Sequence, residues 1–428
     1  MLALLVAVFV LAYAAIAFEH PLKVNKTASA LIAAGLLWTI YAVMGGDHQL
    51  VGENLTESLA ATAQVVFFLM GAMTIVEVVD AHNGFEVITS RIRTTRQPAL
   101  MWLIGIVTFF LSAVLDNLTT TIVMISLTKK LIDSHEDRLF FAGMIVVAAN
   151  AGGAWSPIGD VTTTMLWIGG QITTLSIMEG VFFPALINLA VPLLVTSYLL
   201  RGKVVTPPAA PVLQKEVVTS DFEKKLMFFM GIGCLAAVPV FKTVTHLPPF
   251  MGILFGLGIL WLVGELLHRS KKEEDKQHLT LVHALMRIDM SSVIFFIGIL
   301  LAVATLEHTH ILSALAGWFD QAIGRLDVIV IVIGLISAVV DNVPLVAASM
   351  GMYSLEQYPQ DSFLWEFLAY CAGTGGSILI IGSAAGVAAM GLEKIHFFWY
   401  ARRIGGLALI GYAAGALAYI VQYRLTHG

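Results

Sequence analysis

A short block that occurs twice decides the fold. Ser112-Ala113-Val114-Leu115-Asp116-Asn117 returns 225 residues later as Ser337-Ala338-Val339-Val340-Asp341-Asn342. A glycine block follows each copy: Gly152-Gly153 with Ile158-Gly159 returns as Gly375-Gly376 with Ile381-Gly382. Ahead of them, Val66-Phe67-Phe68 is echoed by Ile294-Phe295-Phe296. Three blocks in one order, at nearly one offset, define an internal repeat. In each half the Asp-Asn pair interrupts a long apolar run, 99–128 and 327–353, and glycines interrupt a second, 139–171 and 363–391.

The surroundings of these blocks are apolar. Of 428 residues 58% are hydrophobic and 12% are Asp, Glu, Lys or Arg, whereas a soluble domain carries about 25% charged residues. With a mean hydropathy of +0.86, the chain reads as an integral membrane protein. The net charge of -5 provides no basic face for nucleic acid. Cys234 and Cys371 lie in apolar stretches rather than at disulfide or metal spacing, so a disulfide framework and a zinc site are excluded as well.

Runs of about 20 apolar residues place simple spans at 1–18, 28–45, 59–80, 179–200, 226–241, 250–267, 289–307 and 397–422. The first is read as a retained span, not a secretory leader, because no Lys or Arg precedes Lys23. The Asp-Asn stretches are too long for one crossing and too short for two. A hairpin that enters the membrane, turns at Asp-Asn and leaves on the same side fits their length, and a helix broken at mid-depth fits the glycine stretches. With the N-terminus outside, all of the 24 Lys and Arg residues except Lys242, Arg325 and Arg424 fall on the cytoplasmic side, as the positive-inside rule requires. The loop 201–225, with Pro207, Pro208 and Pro211, and the run Arg269 to Gln277 read as solvated connectors.

This topology is an all-α polytopic membrane protein with inverted structural repeats, two re-entrant helical hairpins and two broken helices. The expected organisation is N-terminal spans in 1–58, a first repeat in 59–200, cytoplasmic linkers and connecting spans in 201–288, and a second repeat in 289–428. Inverted repeats with broken helices are a construction of secondary transporters, with the substrate at the repeat interface. The Asp-Asn tips and the glycine breaks should therefore converge there.

The polar residues at those places are rich in oxygen. The candidate ion ligands are Asp116, Asn117, Asp160, Thr162, Thr163, Asp341 and Asn342, with Ser112, Asn150, Ser156, Ser337, Ser377 and Ser383 in support. Such ligands suit a hard cation, and no Lys or Arg falls within the four interrupted segments to balance an anion. A carboxylate at mid-depth costs about 2.5–3.5 kcal/mol and marks function, whereas Asn117 and Asn342 serve equally as turn caps. Glu77 and Glu307, near span ends, are read as interface anchors or as a proton path. His82, His308 and His310 are read as ordinary exposed histidines.

The paired Ser-Ala-Val-x-Asp-Asn blocks, the stretch Asn150-Ala-Gly-Gly-Ala-Trp-Ser-Pro-Ile-Gly-Asp-Val-Thr-Thr-Thr164 and the run from Phe67 to Glu77 resemble the NhaD-type sodium/proton antiporters of the ion transporter superfamily. The resemblance implies a bacterial inner-membrane exchanger of Na+, with Li+, for H+. It also implies a scaffold with a mobile transport domain, a homodimer, and no cofactor beyond the transported ions. Both termini are expected in the periplasm. Na+ and H+ would compete for a carboxylate cluster of Asp116, Asp160 and Asp341. The halves are chemically unequal, since Asp160 aligns with Ser383 and Thr119 with Pro344. Two alternatives are a sodium-coupled anion carrier of the same superfamily and, more distantly, an intramembrane aspartyl protease. Neither the Tyr-Asp nor the Gly-x-Gly-Asp pattern of the latter occurs at Asp116, Asp160 or Asp341.

Overall fold

The computed structural model describes residues 1–428 apart from 18, 46, 90–93, 207–218, 270, 272–275 and 428. Pro207, Pro208, Pro211 and Lys215 of the expected connector lie outside the described residues. So do Arg91, Arg93 and Lys272 of the charge partition, and part of the Arg269–Gln277 run. The described residues are helical, with one isolated antiparallel bridge between Arg96 and Val204. The protein is a polytopic membrane protein in which seven helices are long and apolar enough to cross a bilayer.

The chain starts with α1 (Leu2–Ala17), α2 (Lys26–Met44) and α3 (His48–Ala81). The expected first span is α1, whose 16 residues are fewer than the about 20 of a full crossing. α3 begins well ahead of the expected 59, because Asp47 accepts the N–H groups of Gln49 and Leu50 (both 3.1 Å) and starts the helix in polar sequence. The first half continues with α4 (Gln97–Ser112), α5 (Asn117–Leu131), α6 (His135–Ala154), α7 (Val161–Ile168) and α8 (Thr174–Leu199). Two connecting helices follow, α9 (Asp221–Thr245) and α10 (Pro249–His268). Ser220 and Glu223 form a reciprocal capping box that starts α9 ahead of its apolar run. The second half comprises α11 (Met290–His308), α12 (Ile311–Ala322), α13 (Leu326–Ile336), α14 (Asn342–Met352), α15 (Phe363–Gly375), α16 (Ala384–Glu393) and α17 (Gly406–His427).

All four interrupted runs break where the sequence says. Asp116, in extended backbone, caps α5, and Asp341 caps α14. The α4–α5 pair folds back on itself. Gln97 donates its N–H to Lys203 O (3.1 Å), Val205 to Thr95 O (2.8 Å) and Asp133 to Thr206 O (2.9 Å). The segment 203–206 therefore touches both the entry and the exit of the hairpin. Four extended residues reach at most about 14 Å, while each arm rises roughly 22 Å or more. The ends of the α13–α14 pair both lie near the start of α15, through side chains instead of backbone bonds. Arg325 shares a depression with Phe363, and Tyr353 packs edge-on against Tyr358 (5.3 Å), whose carbonyl takes the Trp365 indole N–H (2.9 Å).

The repeated glycines have matching tasks. A Cβ on Gly152 would come within 2.1 Å of Phe109 O, and one on Gly375 within 2.0 Å of Gly334 O. Gly159 and Gly382 approach Ser112 O and Ser337 O, where a Cβ would stand at 2.5 Å in both cases. Only glycine lets each broken helix lie this close to its hairpin backbone. The hydroxyls of Ser112 and Ser337 complete the match, donating to Ala149 O (2.6 Å) and Ala372 O (2.8 Å).

Corresponding helices of the two halves run antiparallel. Along α8 and α17, Gly411 meets Asn188, Gly415 meets Pro184, and Gln422 donates to Glu179 O (3.2 Å). Along α3 and α11, Ser58 contacts His308 (2.9 Å), while at the other end Glu77 pairs with Arg287 (3.2 Å), just ahead of α11.

Candidate functional site

Where the first hairpin tip, the first helix break and the second helix break meet, a buried polar network joins the halves. Asn117, at the start of α5, donates from Nδ2 to Asp160 Oδ2 (2.7 Å) and to Asn150 Oδ1 (3.0 Å). Asn150, on α6, donates from its own Nδ2 to Ser377 Oγ and Ser383 Oγ, both at 2.9 Å. Asp160 Oδ1 accepts the N–H (3.0 Å) and the hydroxyl (2.9 Å) of Thr162. Asp160, Asn117, Asn150, Thr162, Ser377 and Ser383 are all buried. Among the described residues no Lys, Arg or His bonds to Asp160 or Asp116. The arrangement is one carboxylate surrounded by amides, hydroxyls and freed backbone, which matches the oxygen preference of a hard cation.

Asp116 stands beside this network. Its two oxygens accept the N–H and the hydroxyl of Thr119, both at 2.7 Å. It also lines a small cavity with Asn117, Thr164, Ser292 and Phe296. Asp160 lies within electrostatic range of both Asp116 and Asp341.

The sequence matches the family described as citrate transporter over residues 13–373. It is 49% identical over 422 residues to Sodium/proton antiporter 1 of Arabidopsis thaliana, covering 97% of this chain and 72% of that protein. Na(+)/H(+) antiporter NhaD of Vibrio cholerae is 30% identical over 412 residues, 90% of this chain and 84% of that one. Its counterpart in Alkalimonas amylolytica is 29% identical over 448 residues, 97% and 89%. This chain belongs to the NhaD-type antiporter family. The family and these relatives are transporters, so the protein is not an enzyme, and the aspartyl protease reading falls.

Several expected residues of this NhaD-type chain lie elsewhere. The three aspartates do not meet at one point, and the described residues hold no group of three or more His, Cys, Asp or Glu side chains placed to hold an ion. Asp341 is instead paired with Lys26 at 2.8 Å. None of the four interrupted segments carries a Lys or Arg, as read from the sequence, but the first turn of α2 delivers one to Asp341 from outside them. The Asn342 amide nitrogen is buried without a partner among the described residues. Thr163 donates to Ala154 O (3.4 Å) and Ser156 accepts the Ile158 N–H (3.5 Å), so both serve local backbone. Ser112 and Ser337 hold the hairpins to the broken helices.

Glu77 and Glu307 are outside the network. Glu77 faces Arg287 (3.2 Å), and Glu307 lines a separate cavity with Glu57, Ser58 and His308. His82 is not exposed: it is fully buried, its Nδ1 2.7 Å from Val78 O and its Nε2 3.2 Å from His268 Nε2. Lys26 was beyond sequence reasoning, because a lysine at a span end carries no mark of its distant partner. Asn150, expected only in support, is central. Its place just ahead of the glycine break was the available signal.

Proposed function

We propose that this protein exchanges Na+, and Li+, for H+ by alternating access, with the cation and the proton competing at Asp160. The observation that carries this reading is the Asn117–Asp160–Asn150 network, a buried carboxylate among neutral oxygens and, among the described residues, without a basic partner. Its position at the junction of antiparallel halves supports alternate access from the two sides. Relatives named as sodium/proton antiporters support the choice of ions. Asp160 and Asn117 contribute oxygens in this reading, Thr162 orients Asp160, and Asp116 holds negative charge beside the site. When a sodium ion binds, it displaces the carboxyl proton, and a returning proton displaces sodium. If only the loaded forms cross, exchange follows.

Purified protein in liposomes, with internal pH followed by a dye, tests the proposal. Na+ and Li+ pulses should move protons, K+ pulses should not, and Asp160→Asn should abolish the response. An Asp160→Asn variant with full activity overturns the assignment. Because the family is described as citrate transporter, a second reading is sodium-coupled anion uptake. Sodium-dependent accumulation of labelled citrate without proton countermovement would decide for it.

We further propose the organisation 1–58, 59–200, 201–288 and 289–428 with a mobile transport part, a homodimer, and residence in a bacterial inner membrane with both termini periplasmic. The distribution of charge supports the orientation. Lys242 and Thr173 meet Trp167 and Asp361 at one end of the molecule, while Arg138 and Lys129 meet Glu393 at the other. Labelling of single cysteines placed near each terminus from outside intact cells checks the orientation, and cross-linking in the membrane checks the dimer.

A further inference from the structure

Among the three site aspartates, Asp341 alone has a basic partner in the described residues. Lys26 Nζ lies 2.8 Å from Asp341 Oδ2 and 4.5 Å above the centre of the Phe295 ring. Lys26 opens α2 and Phe295 belongs to α11. These two helices are joined by the Thr27 hydroxyl on Ser291 O (3.0 Å) and the Trp38 indole on Leu301 O (2.9 Å). One ammonium thus runs from the α2–α11 pair to the tip of the second hairpin. Glu19 and Asp289 lie within electrostatic range of this lysine, and Tyr13 within electrostatic range of Asp341.

The repeat explains why this carboxylate is open to a lysine. In the first half, Thr119 supplies an N–H and a hydroxyl that occupy both oxygens of Asp116. The residue 225 positions later is Pro344, which has no N–H to donate and no hydroxyl. Besides Lys26, Asp341 accepts among the described residues one long hydrogen bond, from Val343 N to Oδ1 at 3.3 Å. Its other oxygen is the one that takes Lys26.

We propose that Lys26 is a resident cation for Asp341. It neutralises the second-half carboxylate, removes it from competition for Na+ and H+, and fastens the second hairpin to α2–α11. The exchanging carboxylates are then confined to the first half, with Lys26 as a positioning residue. This inference rests on the antiport reading above.

The test compares wild type, Lys26→Arg, Lys26→Met and the double variant Lys26→Met/Asp341→Asn in liposomes, with initial rates measured across Na+ concentration. Lys26→Met leaves Asp341 unbalanced and should lower the apparent KM for Na+ by about tenfold, the scale of one unit charge acting through a partly buried medium. Lys26→Arg should keep the wild-type KM. The double variant removes a neutral pair, so its KM should return to within about twofold of wild type, with a lower maximal rate because the fastening is lost. A merely structural lysine would reduce the maximal rates and leave KM unmoved. Should Lys26→Met fail to fold, the double variant decides alone: no exchange, or a KM raised tenfold, makes Asp341 an ion ligand and overturns the proposal. An unchanged KM in a folded Lys26→Met overturns it too. Wild-type protein that moves no protons overturns the antiport reading instead.

Discussion

The amide nitrogen of Asn150 lies 2.9 Å from Oγ of Ser383, the residue that stands in the second half where Asp160 stands in the first. One asparagine thus ties the carboxylate half-site to its hydroxyl counterpart, because Asn150 also accepts from Asn117, the donor to Asp160. Sodium-dependent motion of one half would be felt by the other through this side chain.

Replacing Asn150 by Leu keeps the branched shape and removes all three bonds. Ser377, Ser383 and the Asn117 amide would lose a buried partner, at about 1–3 kcal/mol for each group left unsatisfied. The exchange rate in liposomes should fall at least about tenfold. A variant that exchanges at the wild-type rate would show that the bridge is dispensable.

Gly152→Ala and Gly375→Ala should be destabilising to a similar degree, since each new methyl would meet a backbone carbonyl at 2.1 or 2.0 Å. Overpacking of this kind costs about 1–3 kcal/mol. Thermal unfolding in detergent should show both midpoints lowered. Gly391→Ala is the control, because no described residue lies within 4 Å of its added Cβ, and its midpoint should not fall below wild type.

Glu393, at the end of α16, is 3% exposed and receives Arg138 Nε at 3.3 Å and Lys129 Nζ at 3.8 Å. These contacts join α16 to α5 and α6. Glu393→Gln should cost about 2 kcal/mol, between the cost of breaking an exposed pair and a fully buried one. The loss should shrink little in high salt, since buried pairs are weakly screened. Midpoints measured at low and high salt check both statements.

Burial holds the His82 imidazole below its ordinary value of 6.5. The fold therefore favours neutral His82, while the unfolded chain takes up a proton near the ordinary value. The stability that follows is fully present above pH 6.5 and falls as the pH drops below it. His268, Lys271 and Glu223 surround this group. The thermal midpoint of wild type should fall from about pH 6.5 to 5, and His82→Gln should flatten that dependence. Parallel pH profiles for the two proteins would count against it.

Much of the site was legible because charge is scarce. With 12% Asp, Glu, Lys and Arg, a carboxylate inside an apolar run is conspicuous. Asp116 and Asp160 were visible for that reason, as was Asp341. The breaks were equally legible: Asp-Asn pairs cap helices, and glycine pairs allow backbones to touch. Helix starts at Asp47 and Ser220 were misplaced because capping begins a helix in polar sequence, ahead of the apolar run from which a span is read.

What the sequence by itself determined is the membrane class, the positions of four helix breaks and the correspondence of two halves. These depend on composition, spacing and local backbone chemistry, which neighbours in the chain carry. Only the tertiary structure decided which acids share a site. Lys26 and Asp341 are 315 residues apart, and no local pattern records that a lysine at the start of α2 meets a hairpin tip in the second half. His82 was buried by the same route, through helix packing against His268. Pairing between distant side chains is set by how helices pack. It is therefore the arrangement of helices that gives Asp341 a lysine and Asp160 an amide.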